Sequence, residues 1–242
     1  MNDKSRNHTL IVGASSGIGK ATAIHLSKVD NISALARRSD KLSELSDSSD
    51  NIFTQTMDVD SASEITEAVE VCVEQNGKID KLIYCAGKQI IAPHKRIKED
   101  VIDSLFSVNL KGALLFSNLF CSVKFSEKNA VFCAVSSIAA IKSEPGIVCY
   151  SAMKSGLDSM IRGLAKEAAP RRFVGVAPGW LDTEMTQNQT LYNESFKENL
   201  EKISPLGITD LDDVVQAIDF LTSKKAASIT GQIICVDSGS SL

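Results

Sequence analysis

TLIVGASSGIGKATAIHLSK, residues 9–28, is the stretch whose reading decides the fold of this 242-residue chain. Thr9 to Val12 is a short apolar run rich in β-branched residues, the signal of a strand. GASSGIG follows at once, from Gly13 to Gly19, and helical periodicity then runs from Ile18 to Lys28. Strand, glycine turn, helix is the arrangement in which backbone N–H groups at a helix N-terminus receive a pyrophosphate. Gly13 can take dihedrals closed to other residues, and Gly17 and Gly19 let ligand and sheet approach the backbone closely. Ser15 and Ser16 add hydroxyls for phosphate oxygens. The spacing is GxxxGxG in place of the commoner GxGxxG.

Outward from this turn, strands and helices alternate. A second strand, Asn31 to Ala36, ends in Ala36-Arg37-Arg38. In a dinucleotide site the residue closing this strand faces the adenosine ribose, where a carboxylate would take the 2′-hydroxyl of NAD. Here Ala36 stands there with two guanidinium groups after it, and such forks bind phosphate bidentately. One charge-assisted hydrogen bond of roughly 1.5–3 kcal/mol gives about one to two decades of preference for a 2′-phosphate. The cofactor expected is therefore NADP(H) before NAD(H), with Arg37 the first choice of ligand and Arg38 the second. The rival reading is two solvated arginines opening a helix around Asp40 to Leu45. A third strand, Ile52 to Met57, leads to Asp58-Val59. The Asp58 carboxylate either accepts from an adenine amino group or caps the next helix, where Ser61 and Glu64 form a capping box.

A helix from Ala62 to Gln75 and a strand from Lys81 to Tyr84 follow, the strand closing with Cys85-Ala86-Gly87. Small residues at that edge suit a cofactor crevice. The long helical segment Glu99 to Ser122 carries Asn109 inside an apolar stripe. A mid-helix Asn is unfavourable by propensity, so it should hold a hydrogen bond, structural or functional. Strand Ala130 to Val135, helix Tyr150 to Ala168 and strand Phe173 to Ala177 come next, the last broken by Pro178-Gly179. Residues Thr186 to Ile203 are polar and amphipathic and read as a mobile cover over the site. A helix from Leu211 to Leu221 and a strand from Gln232 to Val236 end the chain. The pattern is α/β: residues 1–242 as a single, doubly wound domain, a seven-stranded parallel sheet with helices on both faces.

A hydrophobic content of 43% can build a substantial core, and a formal charge of −4 leaves no footprint for nucleic acid or an anionic membrane. No uninterrupted apolar run approaches the roughly 18 residues that span a bilayer. The six cysteines form no CxxC pair and sit mostly in apolar runs, as reduced thiols of a cytoplasmic protein do. The three histidines have no ligand-like spacing, so no metal is expected.

The chemistry is carried by residues 135–154, VSSIAAIKSEPGIVCYSAMK. Tyr150 and Lys154 stand one helical turn apart on one face. A phenol titrates near ~10 in water, and a nearby cation brings it toward working pH as proton donor or acceptor. Ser137, just past the preceding strand, can hold a substrate oxygen against that phenol. The bland alternative is a half-buried Tyr with a snorkelling Lys.

With these pieces in order, the chain resembles the short-chain dehydrogenases/reductases from Thr9 to Ser238. The motifs are GASSGIG, Asp58-Val59, CAG, VNLKG, SSIAA, YSAMK, PGWLDTEM and ITGQIICVDSG. The resemblance implies a Rossmann-type fold and a catalytic set of Asn109, Ser137, Tyr150 and Lys154. Tyr150 would be general acid in carbonyl reduction and base in alcohol oxidation. Lys154 would lower the phenol's pKa and bind the nicotinamide ribose, Ser137 would position the carbonyl oxygen, and Asn109 would hold a water leading to Lys154. Phosphate and ribose contacts would come from Gly13, Ser15, Ser16, Gly17, Ile18, Gly19, Arg37 and Arg38. Asp58 and Val59 would flank adenine, Cys85, Ala86 and Gly87 the adjoining ribose, and Pro178, Gly179, Leu181 and Thr183 the nicotinamide end.

Three features depart from the family pattern. Val12 replaces a Thr, the Glu167 to Arg172 connection is short, and Tyr84-Cys85-Ala86-Gly87 replaces Asn-Asn-Ala-Gly, removing an amide that ties neighbouring strands. The activity implied is hydride transfer between nicotinamide and a carbonyl or alcohol. The nearest type is a 3-oxoacyl-[acyl carrier protein] reductase; a sugar or polyol dehydrogenase is the rival, and a non-catalytic NADP-sensing regulator the reading from another class. An acidic acyl carrier would need a basic rim, for which Lys95-Arg96 and Arg171-Arg172 are candidates. The resemblance also implies a homotetramer or dimer built on the helices near Glu99 to Ser122 and Tyr150 to Ala168.

Overall fold

The computed structural model describes residues 6–187 and 194–242, the side chains of 194–197 excepted. Seven strands form one sheet: β1 (His8–Val12), β2 (Asn31–Ala36), β3 (Ile52–Thr56), β4 (Ile79–Tyr84), β5 (Ser126–Val135), β6 (Arg172–Pro178) and β7 (Ile233–Val236). Their spatial order is β3-β2-β1-β4-β5-β6-β7, and every neighbouring pair is parallel. The chain winds outward from β1 to β3, then returns beside β1 with β4. The crevice between the β1 and β4 connections is where such a sheet binds ligands, beyond the carboxyl ends of its strands.

Period-two alternation divides the core between the faces. Leu10 and Val12 join Phe116, Phe120, Phe132 and Phe173 in one cluster. Ile11, between them, packs with Ala23, Leu26, Val214 and Ile218 in the other. The helices follow that division. α1 (Gly17–Leu26), α2 (Ser39–Ser46) and α9 (Leu211–Thr222) pack on the Ile11 face; α3 (Ala62–Asn76), α5 (Gly112–Cys121) and α6 (Val148–Glu167) pack on the Leu10 face. Burying so many side chains of 1.5–3 kcal/mol each is what holds helices on both faces of the sheet.

The helical segment expected at Glu99 to Ser122 exists with one irregularity. α4 (Glu99–Phe106) passes through a π-type turn, Ser107 to Lys111, into α5. Taken whole, Glu99–Cys121 is long and apolar enough to cross a membrane by length and mean hydropathy, which a count of uninterrupted apolar residues did not register. One face packs into the core, with Leu105, Ala113, Phe116 and Phe120 fully buried, while Ile102, Phe106 and Leu114 are exposed. The segment expected as a cover takes in the end of α7 (Glu184–Gln187) and all of α8 (Glu194–Ile203); its residues 188–193 lie outside the described residues.

The opposite, amino edge of the sheet holds a buried polar cluster. The Asp30 carboxylate accepts from Thr9 Oγ1 and from Lys81 Nζ, each at 2.7 Å. His8 is 1% exposed, with Nδ1 2.7 Å from the Gly77 carbonyl and Nε2 2.8 Å from Ser33 Oγ. Burial disfavours its imidazolium and lowers its pKa to about 4, against the pull of the Gly77 carbonyl and Asp30.

Candidate active site

The turn after β1 is built for close approach. Gly13 has φ +87°, and a Cβ there would lie 2.6 Å from the Ala86 nitrogen. A Cβ on Gly19 would overlap the Gly13 carbonyl. The turn therefore nests against the Cys85–Gly87 loop, with the Cys85 N–H donating to the Val12 carbonyl at 2.8 Å. Above it opens a cavity of about 460 Å³, within the range of ligand pockets. Every residue expected from sequence to be catalytic or to bind the cofactor lines this cavity except Asp58 and Asn109.

Asp58 instead organises the start of α3. Its carboxylate accepts from the Asp60 N–H at 3.1 Å and lies 3.8 Å from Arg37 Nη1. Ser61 accepts from the Glu64 N–H at 3.3 Å, and the Glu64 carboxylate reaches back to the Asp58 N–H at 3.0 Å in place of the Ser61 N–H. The wall beside Val59 is completed by Met57 and Ala36.

The two arginines are engaged differently. Arg38 Nε and Nη2 donate to Ser15 Oγ at 3.2 and 3.0 Å, and Nη2 also donates to Ser16 Oγ at 2.7 Å. Its Nη1 donates to both Glu184 carboxylate oxygens at 2.8 and 3.0 Å. Arg38 thus joins the glycine turn to α7, while the Arg37 side chain is 64% exposed, 3.8 Å from Asp58 and also lines the cavity.

Tyr150 and Lys154, on the first turns of α6, are 8% and 3% exposed. Burial pushes the Tyr150 phenol up to about 12, and a hydrogen bond from Ser137 pulls the other way. Lys154 Nζ lies 5.6 Å from the Tyr150 ring centroid, over its face, and donates to the Val135 carbonyl at 2.8 Å. Burial lowers the ammonium to about 8. The expected lowering of the phenol by Lys154 is not found: desolvation dominates, Ser137 alone opposes it, and the phenol is a proton donor at neutral pH.

Asn109 is fully buried, and its amide is engaged by backbone. Nδ2 donates to the Lys88 and Leu105 carbonyls at 2.8 and 2.9 Å, and Oδ1 accepts from the Lys88 N–H at 3.2 Å. The amide fastens the π turn to the loop after β4, within reach of the site: a Cβ on Gly87 would lie 3.3 Å from Asn109 Oδ1 and 3.6 Å from Lys154 Nζ. Sequence reasoning missed its partner. The Tyr84 hydroxyl, buried where the family pattern places an Asn, donates to the Val108 carbonyl at 2.6 Å. Its signal was the odd phenol at the end of an apolar strand, since a buried Tyr needs a partner for its hydroxyl. Also missed were Ile138, Ile147 and Trp180, which line the cavity together with Met185 and Ile203 at the two ends of the segment expected to cover it.

This arrangement can place a dinucleotide along the carboxyl edge of the sheet and hand a proton to an oxygen held at Ser137. The family profile described as short chain dehydrogenase matches residues 7–193. A 3-oxoacyl-[acyl-carrier-protein] reductase of Thermotoga maritima is 33% identical over 245 aligned residues, covering 95% of this chain and 96% of that protein. A solved short-chain dehydrogenase/reductase from Brucella melitensis, described as a glucose/ribitol dehydrogenase, has a TM-score of 0.92 at 26% identity and covers 99% of each chain. A 3-ketoacyl-(acyl-carrier-protein) reductase from the same organism, complexed with NADH, has a TM-score of 0.89 at 25% identity and covers 98% of each chain. A glycine turn against the sheet, a buried Tyr-Lys pair and full-length similarity converge on one assignment: the chain belongs to the short-chain dehydrogenase family.

Proposed function

We propose that this protein is an NADP(H)-dependent reductase of 3-oxoacyl thioesters or closely related ketones. The observation that carries this reading is the shared cavity, in which Ser137, Tyr150 and Lys154 meet the glycine turn that would seat the cofactor. The cradle fits the group: the Gly13 and Gly19 positions leave no room for a side chain, and Ser15, Ser16 and Arg38 present donors beside them. When bound, the nicotinamide supplies the hydride. Ser137 holds the substrate carbonyl oxygen, and Tyr150, still protonated at neutral pH, donates its proton to that oxygen as charge develops. Lys154 contributes a fixed positive charge beside the phenol and is placed to hold the adjoining ribose. In the reverse direction Tyr150 accepts the alcohol proton, which needs the phenolate and is favoured at higher pH.

Two observations refine the substrate and cofactor. Besides the polar Gln89, Lys142 and Glu144, the cavity is lined by Ile138, Ile147, Trp180, Met185 and Ile203, apolar surface that suits an acyl chain better than a polyol. The Arg38 fork beside Ser15 and Ser16 favours a 2′-phosphate. For a protein-borne substrate the basic rim is reduced to Lys95-Arg96. Arg171 is buried with Nε on Ser126 Oγ, and Arg172 donates to the carbonyls of Leu221, Ile229 and Ser223. We place the protein in the cytoplasm as a homo-oligomer, tetramer or dimer; the groove in which Leu110 of the π turn and Leu114 of α5 meet Met160 and Leu164 of α6 supports that association.

The test is oxidation of NADPH and NADH with 3-oxoacyl thioesters, free and carrier-borne, alongside sugars and polyols run with the oxidised cofactors. Turnover of the thioesters with NADPH is expected. Turnover confined to polyols would replace the substrate class, and cofactor binding without any turnover would make the protein a sensor.

A further inference from the structure

Val135 and Ser136, where β5 ends, are fastened to α6, and Ser137 follows them. The Val135 carbonyl accepts from Lys154 Nζ at 2.8 Å. Ser136 Oγ donates to Asp158 Oδ1 at 2.5 Å. Ser137 stands beside the Tyr150 phenol and pulls its pKa down. Tyr150, Lys154 and Asp158 recur every four residues and so form one stripe along the helix, and Asp158 is 3% exposed. Two of the three belong to the reductase chemistry. The third is a buried carboxylate without an assigned task, and such a group persists only with compensating partners.

Its surroundings identify those partners. Asp158 faces Lys154 one turn before it, Arg162 Nη2 at 4.0 Å one turn after it, and the Ser136 hydroxyl from β5; the Cys235 thiol of β7 also senses it. Lys154 faces Asp158 and the Tyr150 ring from α6, the Cys85 thiol from the end of β4, and Asn109 from the π turn across Gly87. Burial pushes the Cys85 thiol far up, so it stays neutral. The negative charge facing Lys154 is therefore that of Asp158.

We propose that Asp158 is a positioning residue of the reductase site: its carboxylate pins the Ser136-Ser137 end of β5 to α6 and supplies the counter-charge to the Lys154 ammonium. The inference rests on the reductase reading, and its test separates the two. Asp158→Asn keeps the shape and an acceptor for Ser136 but removes the charge; Ser136→Ala keeps the charge but removes the bond. Two measurements are made on the full chain with NADPH bound: the pH profile of kcat/KM for a 3-oxoacyl thioester, and titration of Lys154 followed by NMR of ¹³C-labelled lysine.

In Asp158→Asn the Lys154 titration and the alkaline limb of the profile should move down together by about one pH unit. Activity then falls by up to about tenfold near pH 8 and little at pH 6. Asp158→Glu should return both toward the wild-type position. Ser136→Ala should slow turnover several-fold at every pH, with the limb in place. An Asp158→Asn profile parallel to wild type, with Lys154 titrating as before, overturns the counter-charge role. Unchanged turnover in Ser136→Ala overturns the pinning role, and decides the matter if Asp158→Asn does not fold. A wild-type chain that reduces no carbonyl sinks the reductase reading alone, because the Lys154 titration still reports on Asp158.

Discussion

Arg38 has every N–H of its fork engaged inside the protein, on Ser15, Ser16 and Glu184. A cofactor phosphate arriving there meets a carboxylate already in place, so Glu184 opposes the group that Arg38 attracts. Glu184→Gln should tighten NADPH binding a few-fold and leave NADH nearly unchanged, because the opposing charge is exposed and screened. Arg38→Ala should weaken NADPH by about ten- to a hundredfold and NADH far less. Calorimetric titration with both cofactors checks each variant, and equal effects on the two would contradict the assignment of Arg38 to the 2′-phosphate. Tyr150→Phe should lower turnover at least ~10²-fold with cofactor binding nearly intact, read by single-turnover kinetics and the same titrations. The sequence exposed the residue types at this site but not their ranking. Arg37 and Arg38 are equivalent in a linear reading. What separates them is which one points back over Ser15 and Ser16, and that depends on the twist at the end of β2.

The elements were legible wherever hydrophobic period and turn chemistry agreed. β1, the glycine turn and α1 fall where TLIVGASSGIGKATAIHLSK places them, and the loops after β4, β5 and β6 open on the carboxyl edge as Cys85-Ala86-Gly87, Ser136-Ser137 and Pro178-Gly179 require. The π turn was not legible as such, because widening one turn leaves the apolar stripe of the segment nearly intact. Asn109 marked the place without revealing the geometry. The turn redirects carbonyls that side chains then satisfy: Leu105 by Asn109, and Val108 by Tyr84. Tyr84→Phe leaves the buried Val108 carbonyl without that donor and should cost about 1–3 kcal/mol, measured by urea denaturation. Should stability and turnover both match wild type, Tyr84 is filling space and no more. Gly19→Ala drives a methyl group into the Gly13 carbonyl and should abolish cofactor binding before it abolishes the far-UV signature of the fold.

At the scale of the whole molecule, the sheet carries titrating groups at both ends, and only one end was readable beforehand. The carboxyl edge announced itself through motifs. The His8, Asp30 and Lys81 cluster did not, because its members lie far apart in sequence and meet only once β1, β2 and β4 are aligned. His8 binds its proton near 6.5 when unfolded and near 4 when folded. Between those values the unfolded chain holds a proton that the native chain refuses, so stability falls as pH drops from 6.5 to 4, by roughly 3 kcal/mol in all. Urea midpoints should be flat from pH 8 to 7 as far as this group is concerned, then decline through pH 5, and His8→Gln should flatten that decline. Lys154, lowered to about 8, limits the other end. Damage by acid and silencing by alkali are therefore different events. Acid weakens the whole fold through His8, so whatever fraction unfolds at pH 4.5 must refold before it works again, whereas the proton that Lys154 gives up at pH 9 returns within the dead time of mixing.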